Sequence, residues 1–190
     1  MTDPAEIPTE APNKTEFVTA PSLVLVNTGH GKGKSSAAFG VVLRALAMEW
    51  PVAVVQFLKS GEWQTGEEKV LKRLGVDWFA AGDGFTWDSD DLEESKAKEV
   101  AAWAFAKDLI KRGDHRLIVM DEISYAMAWG WIDPAEVAAV VSKRPGKTNV
   151  VLTGRDMAPE VIEIAHTVTE MNSIKHAFDQ GIVAKKGIDY

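Results

Sequence analysis

The stretch Leu23-Val24-Leu25-Val26-Asn27-Thr28-Gly29-His30-Gly31-Lys32-Gly33-Lys34-Ser35-Ser36 runs from an apolar β-forming segment through a glycine-rich turn into residues with helical spacing. Glycines at 29, 31 and 33 permit backbone conformations that turn successive N–H groups inward, and the positive end of the following helix reinforces them. Such a turn is an anion site. Lys34 is then placed to bridge phosphate oxygens, and the Ser35 hydroxyl to complete a Mg²⁺ shell. The pattern departs from G-x-x-x-x-G-K-[ST] at its first position, where Thr28 stands in place of glycine. The plainer alternative is a flexible surface turn with Lys32 and Lys34 solvated. Against it stands the order of the parts: strand, glycine turn, Lys-Ser-Ser, amphipathic helix.

Working outward, a second element supports the first. Leu117-Ile118-Val119-Met120-Asp121-Glu122 reads as a buried strand ending in two carboxylates. In a parallel sheet the C-terminal ends of the strands lie together, so Asp121 and Glu122 are expected near the phosphate turn, holding Mg²⁺ directly or through water. Other β-rich runs fall at 23–27, 52–58, 76–79 and 149–152, nearly continuous in apolar residues, as strands buried on both faces require. Between them, helices are expected over 34–49, 67–74, 92–111, 134–142 and 159–165. Asp133-Pro134-Ala135-Glu136 gives one helix start a mechanism, with Asp133 as cap, Pro134 in the first turn and Glu136 reaching back. The fold class is therefore α/β, like the P-loop NTPases, with a mostly parallel sheet and helices on both faces.

Composition narrows the function. The 190 residues are 46% hydrophobic and 26% charged, enough apolar content for one globular domain. Formal charge is 21 − 28 = −7, which argues against nucleic acid or an anionic membrane surface as a partner. The bulk field repels phosphate, so any phosphate must be held by a local arrangement. Cysteine is absent, which removes disulfides, thiolate nucleophiles and Cys-bound metal. No run approaches a membrane span or an export signal, so a cytoplasmic protein is expected. Four prolines, Pro4, Pro8, Pro12 and Pro21, mark residues 1–21 as a flexible arm ahead of a domain over 22–190.

With the two motifs placed, the chain resembles the ATP:corrinoid adenosyltransferases of the P-loop type. The resemblance rests on residues 28–34, Val55-Gln56-Phe57-Leu58-Lys59, Gly84-Phe85-Thr86-Trp87, Asp121-Glu122, Arg144-Pro145-Gly146, Thr153-Gly154-Arg155, Lys175-His176-Ala177-Phe178 and Gly187-Ile188-Asp189-Tyr190. Their order and spacing over residues 22–190 carry it. The family commonly has asparagine at His30 and threonine at Ser35 and Ser36; serine keeps the hydroxyl.

The resemblance implies that Co(I) of a corrinoid attacks C5′ of ATP and expels triphosphate, in adenosylcobalamin biosynthesis or salvage. It assigns nucleotide contacts to Thr28, Gly29, His30, Gly31, Lys32, Gly33, Lys34, Ser35, Ser36 and Arg155, and metal contacts to Ser35, Asp121 and Glu122. Phe85 and Trp87 take the place of the lower axial ligand of cobalt, so that Lys34, Glu122, Phe85 and Trp87 form the catalytic set. An external reduced flavoprotein as electron donor and a homodimer are further implications. Trp129 and Trp131 either line a corrinoid face or cover the sheet, with covering favoured, and Trp103 and Phe105 read as packing. Two other readings stay open on the residues alone: a generic ATPase or kinase, which leaves the Gly-Phe-Thr-Trp loop unexplained, and a corrinoid carrier or nucleotide sensor without chemistry.

Overall fold

The computed structural model describes residues 17–60, 65–82 and 92–189. Six strands, β1 (Val24–Thr28), β2 (Val52–Ser60), β3 (Asp77–Gly82), β4 (Leu117–Asp121), β5 (Asn149–Thr153) and β6 (Thr167–Glu170), form one sheet in the order β3-β2-β4-β5-β1-β6. Every pairing is parallel. The intervening helices are α1 (Lys34–Leu46), α2 (Gly66–Arg73), α3 (Leu92–Arg112), α4 (Ile123–Ala128), α5 (Pro134–Ser142) and α6 (Pro159–Glu163).

The near-continuous apolar runs follow from two-sided burial. Along β2, Val52 and Val54 face α1 and α2, whereas Ala53, Val55 and Phe57 face the opposite layer. The same alternation divides Leu117 and Val119 from Ile118 and Met120, and Val151 from Val150 and Leu152. On one side α1 contributes Ala38, Phe39, Val42 and Ala45, spaced along one helical face. On the other, Trp103, Ala106 and Ile110 of α3 pack with Ile123 and Met127 of α4 and Val137 and Val141 of α5. A side chain such as Phe57, fully buried, contributes about 2–3 kcal/mol in this way.

Five expected strands and five expected helices are present, with ends shifted by a few residues. β6 and α4 were not anticipated. β6 is a four-residue edge strand, Thr-Val-Thr-Glu, exposed along its whole length, so it carries no burial pattern to read. Its place is fixed by backbone pairing with β1 and by His166, whose Nδ1 accepts from the Val24 N–H at 3.0 Å. The start of α5 is half as expected: Asp133 accepts from Ala135 N–H at 3.0 Å. Glu136 does not reach back. Its carboxylate instead takes Trp103 Nε1 and Lys107 Nζ of α3, both at 2.8 Å, because a charged long-range partner outcompetes a local backbone donor.

The opposite, N-terminal edge of the sheet is tied by side chains. Arg144 donates to the carbonyls of Thr148 at 2.9 Å, Val141 at 3.1 Å and Ser22 at 3.1 Å, joining the end of α5 to the chain entering β1. Thr148 Oγ1 donates to the His115 carbonyl at 3.0 Å. Residues 1–16 lie outside the described residues, so the expected arm is described only over 17–21, where no helix or strand forms.

Candidate active site

Because all strands run the same way, β1, β4 and β5 deliver their C-terminal residues to one edge, and the glycine turn leaves β1 there. Gly33 caps α1 with φ +113°, a left-handed conformation that a Cβ would strain. Gly31 lies so close to the chain after β6 that an added Cβ would meet the Met171 carbonyl oxygen at 2.7 Å and Asn172 backbone at 2.8 Å. Its N–H donates to that Met171 carbonyl at 2.6 Å. The turn is thus braced from behind by the segment that follows β6, and its front faces a cavity of about 510 Å³.

His30, Gly31, Lys32, Gly33, Lys34, Ser35 and Ser36 line that cavity together with Glu122 and Arg155. Lys34 Nζ donates to the carbonyls of Gly29 at 2.8 Å and Gly31 at 2.7 Å, so the ammonium lies along the turn. Its pKa is held below the usual lysine value, first by burial and then by the charge of Arg155, while Glu122, Asp121 and Asp156 pull the other way. Lys32 pairs with Asp189, and His30 Nε2 lies 3.1 Å from Asp156 Oδ1. Arg155 is exposed, and no hydrogen bond or ion pair engages its guanidinium among the described residues. Lys32, Lys34 and Arg155 therefore line one cavity, beside the N-terminal end of α1, in a chain of net charge −7.

Three expected residues stand behind the wall rather than in it. Thr28 is buried, and its Oγ1 accepts from Met157 N–H at 3.2 Å. Gly29 is buried against Met171 and Glu170. Asp121, expected on the metal, has 0% exposure, and its carboxylate accepts from Thr153 Oγ1 at 2.7 Å and Gln56 Nε2 at 3.1 Å. The next residue, Glu122, does line the cavity. Ser35 at the start of α1 and Glu122 across from it offer hard oxygen donors, the kind that suits Mg²⁺ alongside phosphate oxygens.

Sequence reading missed part of the lining. Tyr125, on the first turn of α4, is half-buried in the wall, and desolvation pushes its phenol pKa up, so it is a neutral donor. Thr65 and Glu67 enter from α2, where Thr65 Oγ1 caps the helix by accepting from Glu68 N–H at 3.2 Å. His176, Phe178, Ile188 and Asp189 close the cavity from the C-terminal segment. His176 Nδ1 accepts from Phe178 N–H at 3.1 Å. Trp129 and Trp131 pack edge to face at 4.8 Å beside Tyr125 and do not line the cavity, and Trp103 and Phe105 are packing residues. Phe85 and Trp87 lie outside the described residues.

The sequence matches the family described as ATP:corrinoid adenosyltransferase BtuR/CobO/CobP over residues 21–190. It is 45% identical over 170 residues to the corrinoid adenosyltransferase of Pseudomonas aeruginosa, an alignment covering 88% of this chain and 83% of that one. Identity to the corrinoid adenosyltransferase of a Sinorhizobium species is 42% over 172 residues, covering 88% of this chain and 80% of the other. For that of Escherichia coli K12 it is 38% over 168 residues, with 88% and 85% covered.

Proposed function

Since the chain belongs to the ATP:corrinoid adenosyltransferase family, enzymes that transfer the adenosyl group of ATP to the cobalt of a corrinoid, we propose that the cavity in front of the glycine turn is where this transfer is set up. The observation that carries the assignment is the convergence of Lys34, Ser35, Glu122 and Arg155 on one cavity at the C-terminal edge of the sheet.

In this reading the triphosphate lies along the turn. The N–H groups of residues 32–36 and the positive end of α1 hold its oxygens, and Lys34 exchanges the carbonyls of Gly29 and Gly31 for phosphate. Arg155, with no partner of its own among the described residues, adds a further cation. Ser35 and Glu122 would hold Mg²⁺, which offsets negative charge on the polyphosphate when bound. The cobalt electron pair forms the Co–C5′ bond as the C5′–O bond breaks, and that bond's electrons leave on triphosphate. Cationic and N–H groups already aimed at the leaving group stabilise it without reorganising.

No proton moves in that step, so general acid–base help, about 10²- to 10⁴-fold where used, has nothing to act on. Holding two reactants in attack geometry is worth about 7–11 kcal/mol and is the larger effect. Phe85 and Trp87 are proposed to take the place of the lower ligand of cobalt. β3, the strand that precedes them in the chain, ends at Gly82 at the same edge of the sheet as the glycine turn. Cobalt reduction needs an electron from outside the chain, for which a reduced flavoprotein is the proposed donor. A homodimer working in the cytoplasm completes the reading. Among the described residues no helix is long and apolar enough to cross a membrane.

The test is anaerobic incubation with ATP, Mg²⁺ and a Co(I) corrinoid. Light-sensitive alkylcobalt absorbance and one equivalent of inorganic triphosphate are expected; release of ADP and phosphate during turnover overturns the reading.

A further inference from the structure

Across the sheet the last buried row before the cavity changes character. One row deeper, Val55, Met120, Leu152 and Val26 lie in register and are all apolar. At the next row Gln56 stands opposite Asp121, and Asn27 opposite Thr153. Gln56, Asp121 and Thr153 are fully buried, and Asn27 nearly so. Polar groups at such depth cost stability unless hydrogen-bonded, and a larger core could have been built from the apolar residues used everywhere else in these strands.

The bonds within this row lead to one place. Gln56 Nε2 donates to one oxygen of Asp121 at 3.1 Å, and the Thr153 hydroxyl donates to the other at 2.7 Å. The same Thr153 oxygen accepts the backbone N–H of Glu122 at 2.9 Å. Glu122 has φ +65°, a left-handed conformation that a non-glycine residue keeps only when its surroundings impose it. Asn27 extends the row to the other wall, donating from Nδ2 to the carbonyl of Lys34 at 3.1 Å.

We infer that Thr153 is a positioning residue for the metal-binding face of this site: its hydroxyl, fixed by Asp121 and Gln56, pins the Glu122 backbone in the turn that presents the Glu122 carboxylate to the cavity. The inference rests on the assignment of Glu122 to Mg²⁺ made above. It gives Asp121 a different task from the one its sequence position suggests, that of orienting the hydroxyl. Residues behind metal ligands change metal affinity by about 10- to 100-fold when removed.

The test is a Mn²⁺ titration followed by electron paramagnetic resonance, on the protein with ATP and on ATP alone, using Thr153→Val, Thr153→Ser and Glu122→Gln. T153V removes both bonds at nearly constant volume, and T153S keeps both. T153V is expected to weaken protein-dependent Mn²⁺ binding by about 10- to 100-fold and to raise the Mg²⁺ concentration for half-maximal rate. ATP affinity measured in excess chelator stays unchanged, and T153S stays within about threefold of the parent. Parent-like Mn²⁺ binding by T153V, or a loss of kcat with metal affinity intact, overturns the inference. If E122Q weakens Mn²⁺ binding and T153V does not, only the inference falls; if E122Q binds Mn²⁺ as the parent does, the assignment of Glu122 falls and the inference with it. Should T153V not fold, Thr153→Ala carries the same measurement, and failure of both to fold makes Thr153 a residue of the fold and overturns the positioning role.

Discussion

Arg144 and Arg155 lie at opposite edges of the same sheet, one on each side of β5, and are used in opposite ways. Arg144 gives three donor groups to the carbonyls of Thr148, Val141 and Ser22, and burial pushes its pKa down. Arg155 engages no partner among the described residues and faces the cavity beside Lys34 and Glu122. Where strands begin, polar side chains satisfy the chain's own backbone. Where strands end, N–H groups and cations are left for something the chain does not supply. Both arginines belong to short strings that resemble the family, so the likeness of a string does not distinguish a tie from a contact; its edge of the sheet does.

The largest expected effect breaks the functional edge alone. Lys34→Ala removes the cation from the turn, and the cost in kcat/KM for adenosylation is expected to be about 10³-fold or more, near the upper end for one lost charge-stabilising donor. Of the two carbonyls it leaves, that of Gly31 belongs to a cavity-lining residue and that of Gly29 lies behind the wall, so thermal stability falls by only about 1 kcal/mol. Alkylcobalt absorbance and a melting curve check both halves. A large fall in stability would mean that Lys34 is chiefly a structural brace.

Arg144→Ala is the mirror image. Losing a charged donor to three part-buried carbonyls costs about 3 kcal/mol, a fall in Tm of roughly 6–12 °C for a domain of this size. Activity per folded molecule stays unchanged. Arg144→Lys recovers little, because one ammonium cannot reproduce a planar fork with three acceptors in fixed directions. Arg155→Ala follows, with stability within about 0.5 kcal/mol of the parent and KM for ATP raised about tenfold, equivalent to about 1.4 kcal/mol. Titration of ATP against both arginine variants reads the comparison directly: equal losses of ATP affinity would erase the distinction between the edges.

How much of this was legible in the sequence depends on whether a feature is local. The glycine turn, Lys34 and Ser35 were readable because strand, turn and helix are contiguous, and Glu122 because a buried strand ends there. The placement of Asp121 was not, since its partners Gln56 and Thr153 are 65 and 32 residues away. β6 escaped because an exposed edge strand is held by backbone bonds, which leave no mark on residue type. The C-terminal segment was seen as a likeness of strings without a place; its contacts with Lys32 and the cavity arise only when β6 carries the chain past the turn. Tyr125 was hidden by a six-residue helix too short to show a period.

The smallest effect sharpens the comparison by pH. Glu136 lies on the helical layer, away from both edges, and its carboxyl is held below the usual value chiefly by the hydrogen bond from Lys107, then by that from Trp103. A depressed folded pKa means the contribution is present above the ordinary glutamate range and is lost as pH falls through the folded value. The group is largely exposed, so screening limits the effect to less than about 1 kcal/mol. Glu136→Gln should therefore lower Tm slightly at pH 7 and leave a smaller difference from the parent near pH 3, because the parent has by then lost part of the same interaction. Adenosylation should not change. A difference in Tm that grows toward acid would have the wrong sign for a stabilising carboxylate, and would show that Glu136 is held against its preference by the packing of α3 on α5.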